Sequence, residues 1–267
     1  MRYLVDEIRQ LRLDRFLKGM LEHARLWLKW TFFPGLDLYT RGRYRFLPRF
    51  FIEGSVRTLD AGCGNGALAY AAYRRGNEVL GVTIDQTQVE KADALFSWLG
   101  VCPERLRIQV LNLYDLHKLT TKFDQIICAE TLEHIRDDGK IIRSFYDLLT
   151  EGGVLHLCCP NANHPVHRLG RVDDPEDGGH VRDGYTFQSY QQLLEPLGFR
   201  IEKTFGIGSS ALGFFDRPIR AARNHGGNIA ALPLFLLAYP FILLLDYLNP
   251  PCPFSLYVLA KKEKRSV

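Results

Sequence analysis

Short apolar segments alternate with amphipathic segments along the chain from residue 56 onward. The apolar runs have strand length, and between them apolar residues recur every three or four positions, as on one face of a helix. This alternation predicts a mostly parallel sheet with helices on both faces. The predicted strands cover residues 56–60, 78–84, 106–111, 123–129, 153–159, 200–205 and 255–260, and the predicted helices cover residues 67–75, 88–99, 140–149 and 186–197.

The start of the chain has a different character. Residues 1–50 contain eleven Lys and Arg against five Asp and Glu, although the net charge of the whole chain is only +4. Residues 5–34 predict one or two helices, which either pack on the main domain or lie at a membrane interface, since Trp and basic residues are mixed there. We therefore divide the chain into a helical basic arm (1–54) and an α/β domain (55–267).

A second unusual segment precedes the last predicted strand. Residues 226–245 contain no charged side chain over twenty positions, and the whole insertion spans residues 226–249. Because the flanking strands must rejoin one sheet, the segment has to return to the side it left. A kinked hairpin at a membrane surface, or a lid or dimer surface, meets this condition, whereas a full membrane span does not. No secretory signal is recognised at residues 1–10.

The strongest chemical signal is the segment VRTLDAGCGNGAL at residues 56–68. A strand ending in an acid turns into a helix through glycines, which allows a ligand to approach backbone that any Cβ would block. The glycine spacing differs from the G-x-G-x-x-G of dinucleotide sites. The residues of this turn that we expect to contact a ligand are Asp60, Gly62, Cys63, Gly64 and Gly66.

Three further motifs follow in order: GVTIDQTQ at 81–88, LNLYDL at 111–116 and FDQIICAETLEHI at 123–135. Together with the glycine turn they resemble class I S-adenosylmethionine-dependent methyltransferases. The second motif is similar to a stretch of cyclopropane-fatty-acid synthases and tocopherol methyltransferases. The resemblance implies a doubly wound, Rossmann-like seven-stranded sheet and S-adenosylmethionine as cofactor. Beyond the glycine turn, it implies cofactor contacts at Thr83, Asp85, Gln88, Asn112, Leu113 and Glu130.

Two positions depart from the family pattern or remain open. Threonine stands at position 83, where the family usually has an acid for the ribose hydroxyls, and Asp85 either binds the ribose or only caps the next helix. Asn112 stands where an acid usually lies near the adenine amine, and its carbonyl can accept the same hydrogen bond.

Candidate catalytic residues come from two histidine-containing segments. We predict His180 as a base or substrate contact, with His134 and Tyr185 beside it, since an imidazole near neutral pKa can take a proton from an acceptor hydroxyl. The alternative is that His180 only structures its loop. The spacing of Glu130, Glu133 and His134 also occurs in ubiquinone-pathway O-methyltransferases and small-RNA methyltransferases, where it binds a divalent cation. The same motif is common in relatives without metal, and we predict no metal here.

These features predict O-methylation of a small or lipid-like acceptor, in the cytoplasm and peripherally associated with a membrane. C-methylation of an isoprenoid or lipid is the main alternative. RNA methylation and non-catalytic cofactor binding are weaker ones. No nucleic-acid partner is expected, because the basic residues are interleaved with long apolar side chains and no RNA-binding module is recognised.

Overall fold

A computed structural model of the chain describes residues 36–167, 176, 178–208, 210–245 and 252–263. The helices predicted within residues 5–34 lie outside this part of the chain. Residues 36–54, which the sequence assigned to the basic arm, belong to the same compact unit as the sheet.

Seven strands form one sheet in the order β3-β2-β1-β4-β5-β7-β6. β7 runs antiparallel to β5 and β6, and the other neighbouring pairs are parallel. This confirms the predicted Rossmann-like architecture, and the reversal of chain order between β1 and β4 opens a crevice at the carboxyl ends of these strands. The strands are β1 (Arg57–Ala61), β2 (Glu78–Thr83), β3 (Leu106–Val110), β4 (Phe123–Ala129), β5 (Leu149–Pro160), β6 (Phe199–Ile207) and β7 (Ser255–Lys262).

Local capping residues set the beginnings of the helices. Asp85 accepts a hydrogen bond from the Thr87 amide at 2.8 Å, so α3 begins two residues earlier than predicted. Thr186 and Ser189 form a reciprocal capping box at the start of α5, where the sequence predicted the cap. The helices are α1 (Leu38–Phe46), α2 (Ala67–Arg74), α3 (Gln86–Trp98), α4 (Asp138–Leu148), α5 (Phe187–Leu194) and α6 (Ser210–Leu245), with 3₁₀ turns at Leu47–Phe50, Leu113–Lys118, Leu132–His134, Pro165–His167 and Glu195–Leu197.

Alternating side chains of the strands pack into two apolar layers, one on each face of the sheet. Leu59 and Ile126 pack on one face, with Phe145 of α4 and Tyr190 of α5. The other face packs against α2, α3 and the turn at Leu47–Phe50. Burial of both faces is what a largely parallel sheet requires.

One histidine lies inside this core. His156 is fully buried, and its two ring nitrogens lie 2.8 Å from the Tyr257 hydroxyl and 3.0 Å from Gln125 Oε1. Burial lowers the pKa of His156 to about 3, so the ring is neutral. His156 is therefore a hydrogen-bonded residue of the core and takes no part in the candidate site.

The segment Ser210–Leu245 folds back on itself. Gly226 and Gly227 leave helical geometry, with φ −136° and φ +69°. The rings of Phe215 and Phe241 lie 6.2 Å apart, although a straight helix would separate residues twenty-six positions apart by about 39 Å. The segment is therefore a helical hairpin, whose first arm is residues 210–225 and whose second arm is residues 228–245. Within the residues that the structure describes, no helix has the length and apolar character to cross a membrane.

Both arms of the hairpin contact α1. In the first arm, the Asp216 carboxylate accepts from the Leu38 amide, and Arg220 pairs with both Asp216 and Asp37. In the second arm, the Arg41 guanidinium lies 4.7 Å from the centre of the Phe235 ring. These contacts fix the hairpin to residues that precede the sheet by some twenty positions in the sequence.

Candidate functional site

The turn after β1 places two glycines in left-handed backbone geometry, at φ +78° for Gly62 and φ +51° for Gly64. A Cβ at position 62 would lie 2.3 Å from Thr131 Oγ1, so this glycine allows the loop after β4 to pack closely. A Cβ at Gly64 would meet no atom of the described residues within 4 Å. Gly64 therefore borders open space where a ligand can approach the backbone.

That space is a cavity of about 320 Å³ at the carboxyl ends of β1 to β4. Its size is at the lower end of the range of small-molecule sites. Its position is the crevice that the strand order predicts. Its described lining comes from the glycine turn, the segments after β2, β3 and β4, and one further loop: Gly62, Gly64, Val82, Thr83, Ile84, Leu111, Asn112, Leu113, Tyr114, Glu130, Thr131, His134, Ile135, Glu176 and Gly178.

Part of the predicted cofactor set meets in this cavity: Gly62, Gly64, Thr83, Asn112, Leu113 and Glu130. The remaining members, Asp60, Cys63, Gly66, Asp85 and Gln88, are not among the described residues that line it. A Cβ on Gly66 would lie 2.7 Å from the Phe96 ring, so this glycine allows α2 and α3 to pack. Asp85 caps α3, and Gln88 lies half-buried in the first turn of that helix.

Asp60 lies beneath the glycine turn and is buried. Its Oδ2 atom has no hydrogen-bond partner among the described residues. Burial raises the pKa of Asp60 to about 7, against a smaller lowering effect of the Ala69 amide. A buried carboxylate without a partner is costly, and an ammonium group placed beside it would relieve that cost.

Glu130, directly after β4, has φ +53° and is the only non-glycine residue with a positive φ in the described ranges. Its carboxylate lies 3.4 Å from the Arg43 guanidinium and accepts a hydrogen bond from Ser255 at 3.2 Å. Strained backbone of this kind is typical of functional sites, where surrounding contacts hold it in place.

Sequence reasoning did not identify Arg43 as a site residue. It lies in α1, in a run of arginines that the sequence indicates only as a basic arm, and eighty-seven positions separate it from Glu130. The fold brings them together, with exposed side-chain fractions of only 11% and 25%.

Glu133, His134 and His180 form a cluster at the edge of the cavity, where one donor atom from each lies within 4.8 Å of the others. His134 Nδ1 lies 2.9 Å from the Gly179 carbonyl oxygen, and its Nε2 lies 3.9 Å from Glu133 Oε1. Burial, together with the charge of Glu130, raises the pKa of Glu133 well above its usual range. The raised pKa of Glu133 favours its neutral form, which needs no cation beside it, and our prediction that no metal is required stays a prediction.

Tyr185 occupies a different environment from the two histidines. It is buried, and its hydroxyl donates to Asp138 Oδ2 at 2.6 Å. Burial and neighbouring anionic groups raise its pKa far above the ordinary value. Arg182 bonds to the Ile135 carbonyl at 2.6 Å and also to Asp138. Tyr185 and Arg182 thus hold the loop that carries His180, and Tyr185 is not among the described residues lining the cavity.

An aromatic wall continues from Glu130 toward the hairpin. Ser255, which contacts Glu130, follows Phe254, and the Phe254 ring stacks on Tyr39 with centroids 3.7 Å apart. The His167 ring meets the other edge of Phe254 at 4.2 Å. The wall therefore joins Glu130, through Ser255, to the start of α1 and to the turn at Pro165–His167.

The chain was compared with known proteins. Residues 28–204 match the family described as Methyltransferase domain. The mitochondrial ubiquinone biosynthesis O-methyltransferase of Rattus norvegicus is 27% identical over 160 residues, covering 57% of this chain. That alignment covers 46% of the rat protein, so the chain spans about half the length of this relative.

Two solved structures show the same fold. The [4+2]-cyclase SpnF has a TM-score of 0.60 at 19% identity, covering 82% of this chain and 80% of that one. Phosphoethanolamine N-methyltransferase 2 of Haemonchus contortus, in complex with S-adenosyl-L-methionine, has a TM-score of 0.58 at 17% identity, covering 82% of this chain and 52% of that one. Because a cyclase shares the fold, the fold alone does not decide the reaction.

The residues present fit S-adenosylmethionine. Gly64 leaves the space in which a ligand can lie against the turn. The Asp60 Oδ2 atom, which has no hydrogen-bond partner among the described residues, suits the amino group of a methionine moiety. Thr83 and Asn112 offer polar atoms at the ends of β2 and β3, for a ribose and an adenine. With the match over residues 28–204, these features show that the chain belongs to the Methyltransferase domain family, as a class I S-adenosylmethionine-dependent methyltransferase.

Proposed function

We propose that this chain transfers the methyl group of S-adenosylmethionine to a hydroxyl oxygen of a small or lipid-like acceptor. The observation that carries the proposal is the histidine pair at the edge of the cavity. His134 lines the cavity, and the His180 ring stands edge-on to it with centroids 4.6 Å apart. An imidazole in this place can accept the proton of an acceptor hydroxyl.

The surroundings of His180 favour its role as a base. Burial lowers the pKa of His180, and the neighbouring His134 and His167 lower it further. The ring is therefore neutral at pH 7 and has a nitrogen lone pair available. When bound, the cofactor supplies a methyl group made electrophilic by its sulfonium. The protein has to orient the acceptor, exclude water and take the hydroxyl proton on a ring nitrogen of His180.

Two observations support an apolar, oxygen-bearing acceptor. The packed rings of Tyr39, Phe254 and His167 give Glu130 apolar surroundings on one side. The rat relative is named for O-methylation in ubiquinone biosynthesis. Aromatic surfaces with a few polar groups are typical of sites for apolar ligands that carry a hydroxyl.

The experiment that tests the acceptor uses methyl-labelled S-adenosylmethionine with separated polar, lipid and RNA fractions of cells. We expect label in the lipid fraction, and we expect ether cleavage with boron tribromide to release it. Label that resists cleavage would instead indicate C-methylation, and label in RNA would contradict the proposal. The Gly64→Val variant is the negative control, because it should not bind the cofactor.

The role of His180 is tested with the purified acceptor. His180→Ala should lower kcat about 10²–10³-fold, because proton transfer loses its base. Added imidazole should restore part of the rate if the loss is chemical. His117→Ala, at an exposed histidine, is the matched control and should match the wild type. An unchanged kcat in His180→Ala would show that His180 is not the catalytic base.

A further inference from the structure

The second arm of hairpin α6 is apolar on two opposite faces. One face is buried against the rest of the domain through Ala231, Phe235 and Ala238. The opposite face carries large side chains that remain in solvent in the described structure. We call these four residues the apolar stripe: Ile229, Leu236, Leu237 and Phe241, exposed by 88%, 54%, 71% and 60%.

Helical geometry explains why these four side chains share a face. With 3.6 residues per turn, positions 229, 236, 237 and 241 project into an arc of about 140°, opposite the arc of the buried residues. Pro233 and Pro240 lie in the same arc and are exposed. A helix that is apolar all around and packs on only one side presents a surface that water does not favour.

The charge of the hairpin narrows the choice of partner. Asp216 is the only acidic residue among residues 210–245, and it is buried and paired with Arg220. Arg217 and His225 of the first arm are exposed, and Arg223 is half-exposed. The described surface of the hairpin thus combines apolar and basic groups without an exposed acid. Such a surface complements anionic lipid headgroups above an acyl layer.

The hairpin also lies beside the site. It begins just after the carboxyl end of β6 and leads back toward the start of β7, which lie on the same edge of the sheet as the cavity. At its base, a Cβ on Gly208 would lie 3.1 Å from the Tyr39 ring and 3.2 Å from Phe254. The aromatic wall therefore connects the base of the hairpin to Glu130.

We propose that hairpin α6 docks on the surface of an anionic phospholipid bilayer, with the apolar stripe in the acyl boundary and Arg217 at the headgroups. The inference deepens the proposed function, since an acceptor dissolved in the bilayer would meet the aromatic wall at the base of the hairpin. The inference rests on the proposed function only where it explains why the site would lie at a lipid surface. Docking itself is measured without turnover.

The test is sedimentation of the full chain with vesicles of phosphatidylcholine containing 30% phosphatidylglycerol. The triple variant Ile229→Ser, Leu237→Ser and Phe241→Ser should bind about a hundredfold more weakly, because three apolar side chains no longer enter the acyl boundary. Arg217→Gln should weaken binding about fivefold at low salt and little at high salt. Val110→Ser, an exposed apolar residue on the far edge strand β3, is the control and should bind like the wild type.

Two further measurements decide the outcome. Cofactor affinity and thermal unfolding of the triple variant should equal those of the wild type, because the substituted side chains are exposed. Equal vesicle binding by the triple variant and the wild type would overturn the proposal. So would a wild-type dimer that becomes a monomer in the triple variant and never binds vesicles, since the stripe would then join two copies. Either result leaves the methyl-transfer proposal standing, and loss of methyl transfer leaves vesicle binding unaffected.

Discussion

The Arg43 guanidinium lies 3.4 Å from the Glu130 carboxylate and connects α1 to the strained residue after β4. Burial lowers the pKa of Arg43, but nearby acidic groups, with Glu130 the strongest of them, together more than offset this, so that the pKa is raised. The Ser255 hydroxyl lies between the two groups, 3.4 Å from Arg43 and 3.2 Å from Glu130. One ion pair thus fixes the segment before the sheet, the end of β4 and the start of β7 around the cavity.

Removing one partner of the Arg43–Glu130 pair should destabilise the protein, because the other charge would remain buried without a partner. Arg43→Met should lower the free energy of unfolding by about 2–4 kcal/mol, and adding Glu130→Gln should recover a large part of it. The exposed pair Arg75–Glu53 is the matched control, and Arg75→Met should cost less than about 1 kcal/mol. Urea denaturation measures all four proteins. Equal losses at Arg43 and Arg75 would contradict the structural role of the buried pair.

Gly64→Val should abolish cofactor binding in a folded protein, because the added side chain would fill the space beside the turn. Gly100 has φ +67° and is also open around its Cβ position, but it lies outside the described cavity lining. Gly100→Val therefore introduces similar backbone strain without filling the cavity. Calorimetry should find cofactor binding lost in the first variant and retained in the second. Wild-type affinity in Gly64→Val would mean that the cofactor does not lie against this turn.

Asp60 should make stability depend on pH with a defined sign. Its folded pKa of about 7 lies above the ordinary aspartate value, so its stabilising contribution is full below about pH 4 and is lost as pH rises through 7. Without cofactor, the free energy of unfolding of Asp60→Asn should therefore exceed that of the wild type by about 4 kcal/mol at pH 8.5, and this advantage should disappear below about pH 4. Asp93→Asn, at an exposed position of α3, should follow the wild type. A pH-independent difference would show that Asp60 is not the titrating group.

Asp85 and Gln88, the two candidate ribose ligands on the segment after β2, should be distinguished by measuring stability and cofactor affinity separately. Asp85→Ala should lower the free energy of unfolding by about 1 kcal/mol, because α3 loses its cap. Gln88→Ala should leave stability unchanged and weaken the cofactor by about 1–2 kcal/mol, the effect of a lost hydrogen bond. Denaturation and calorimetry of both variants test this. A silent Gln88→Ala with large cofactor loss in Asp85→Ala would reverse the assignment.

Chelation should leave turnover nearly unchanged. The raised pKa of Glu133 favours the neutral form of this side chain, so the cluster has less negative charge for a cation to offset. Initial rates with and without EDTA measure this, and a cation-dependent methyltransferase assayed in parallel shows that chelation was complete. Activity that returns only with added Mg²⁺ or Zn²⁺ would make Glu133, His134 and His180 metal ligands.

The sequence by itself determined the fold class, the order of its elements and the cofactor. Strand and helix periodicity are local properties, and a glycine turn indicates that a ligand can approach the backbone. The cofactor followed from the resemblance of the four motifs to class I methyltransferases. Helix capping is also a local property, and α5 begins directly after Thr186, where the predicted helix starts. The helices α3 and α4 each begin two residues before their predicted starts, where Asp85 and Asp137 cap them, and β5 begins four residues earlier than predicted. The capping role of Asp85 was one of two open interpretations.

Only the tertiary structure decided which residues share a site. Arg43 and Glu130 meet because α1 packs over the carboxyl ends of the strands, and no local pattern encodes a contact across eighty-seven positions. The apolar run at 226–245 forms the second arm of a hairpin, and the first arm is charged. The sequence pattern does not show this pairing, because it depends on where the chain turns. The environment of Asp60 likewise depends on burial, which arises only when the layers on both faces of the sheet close around it.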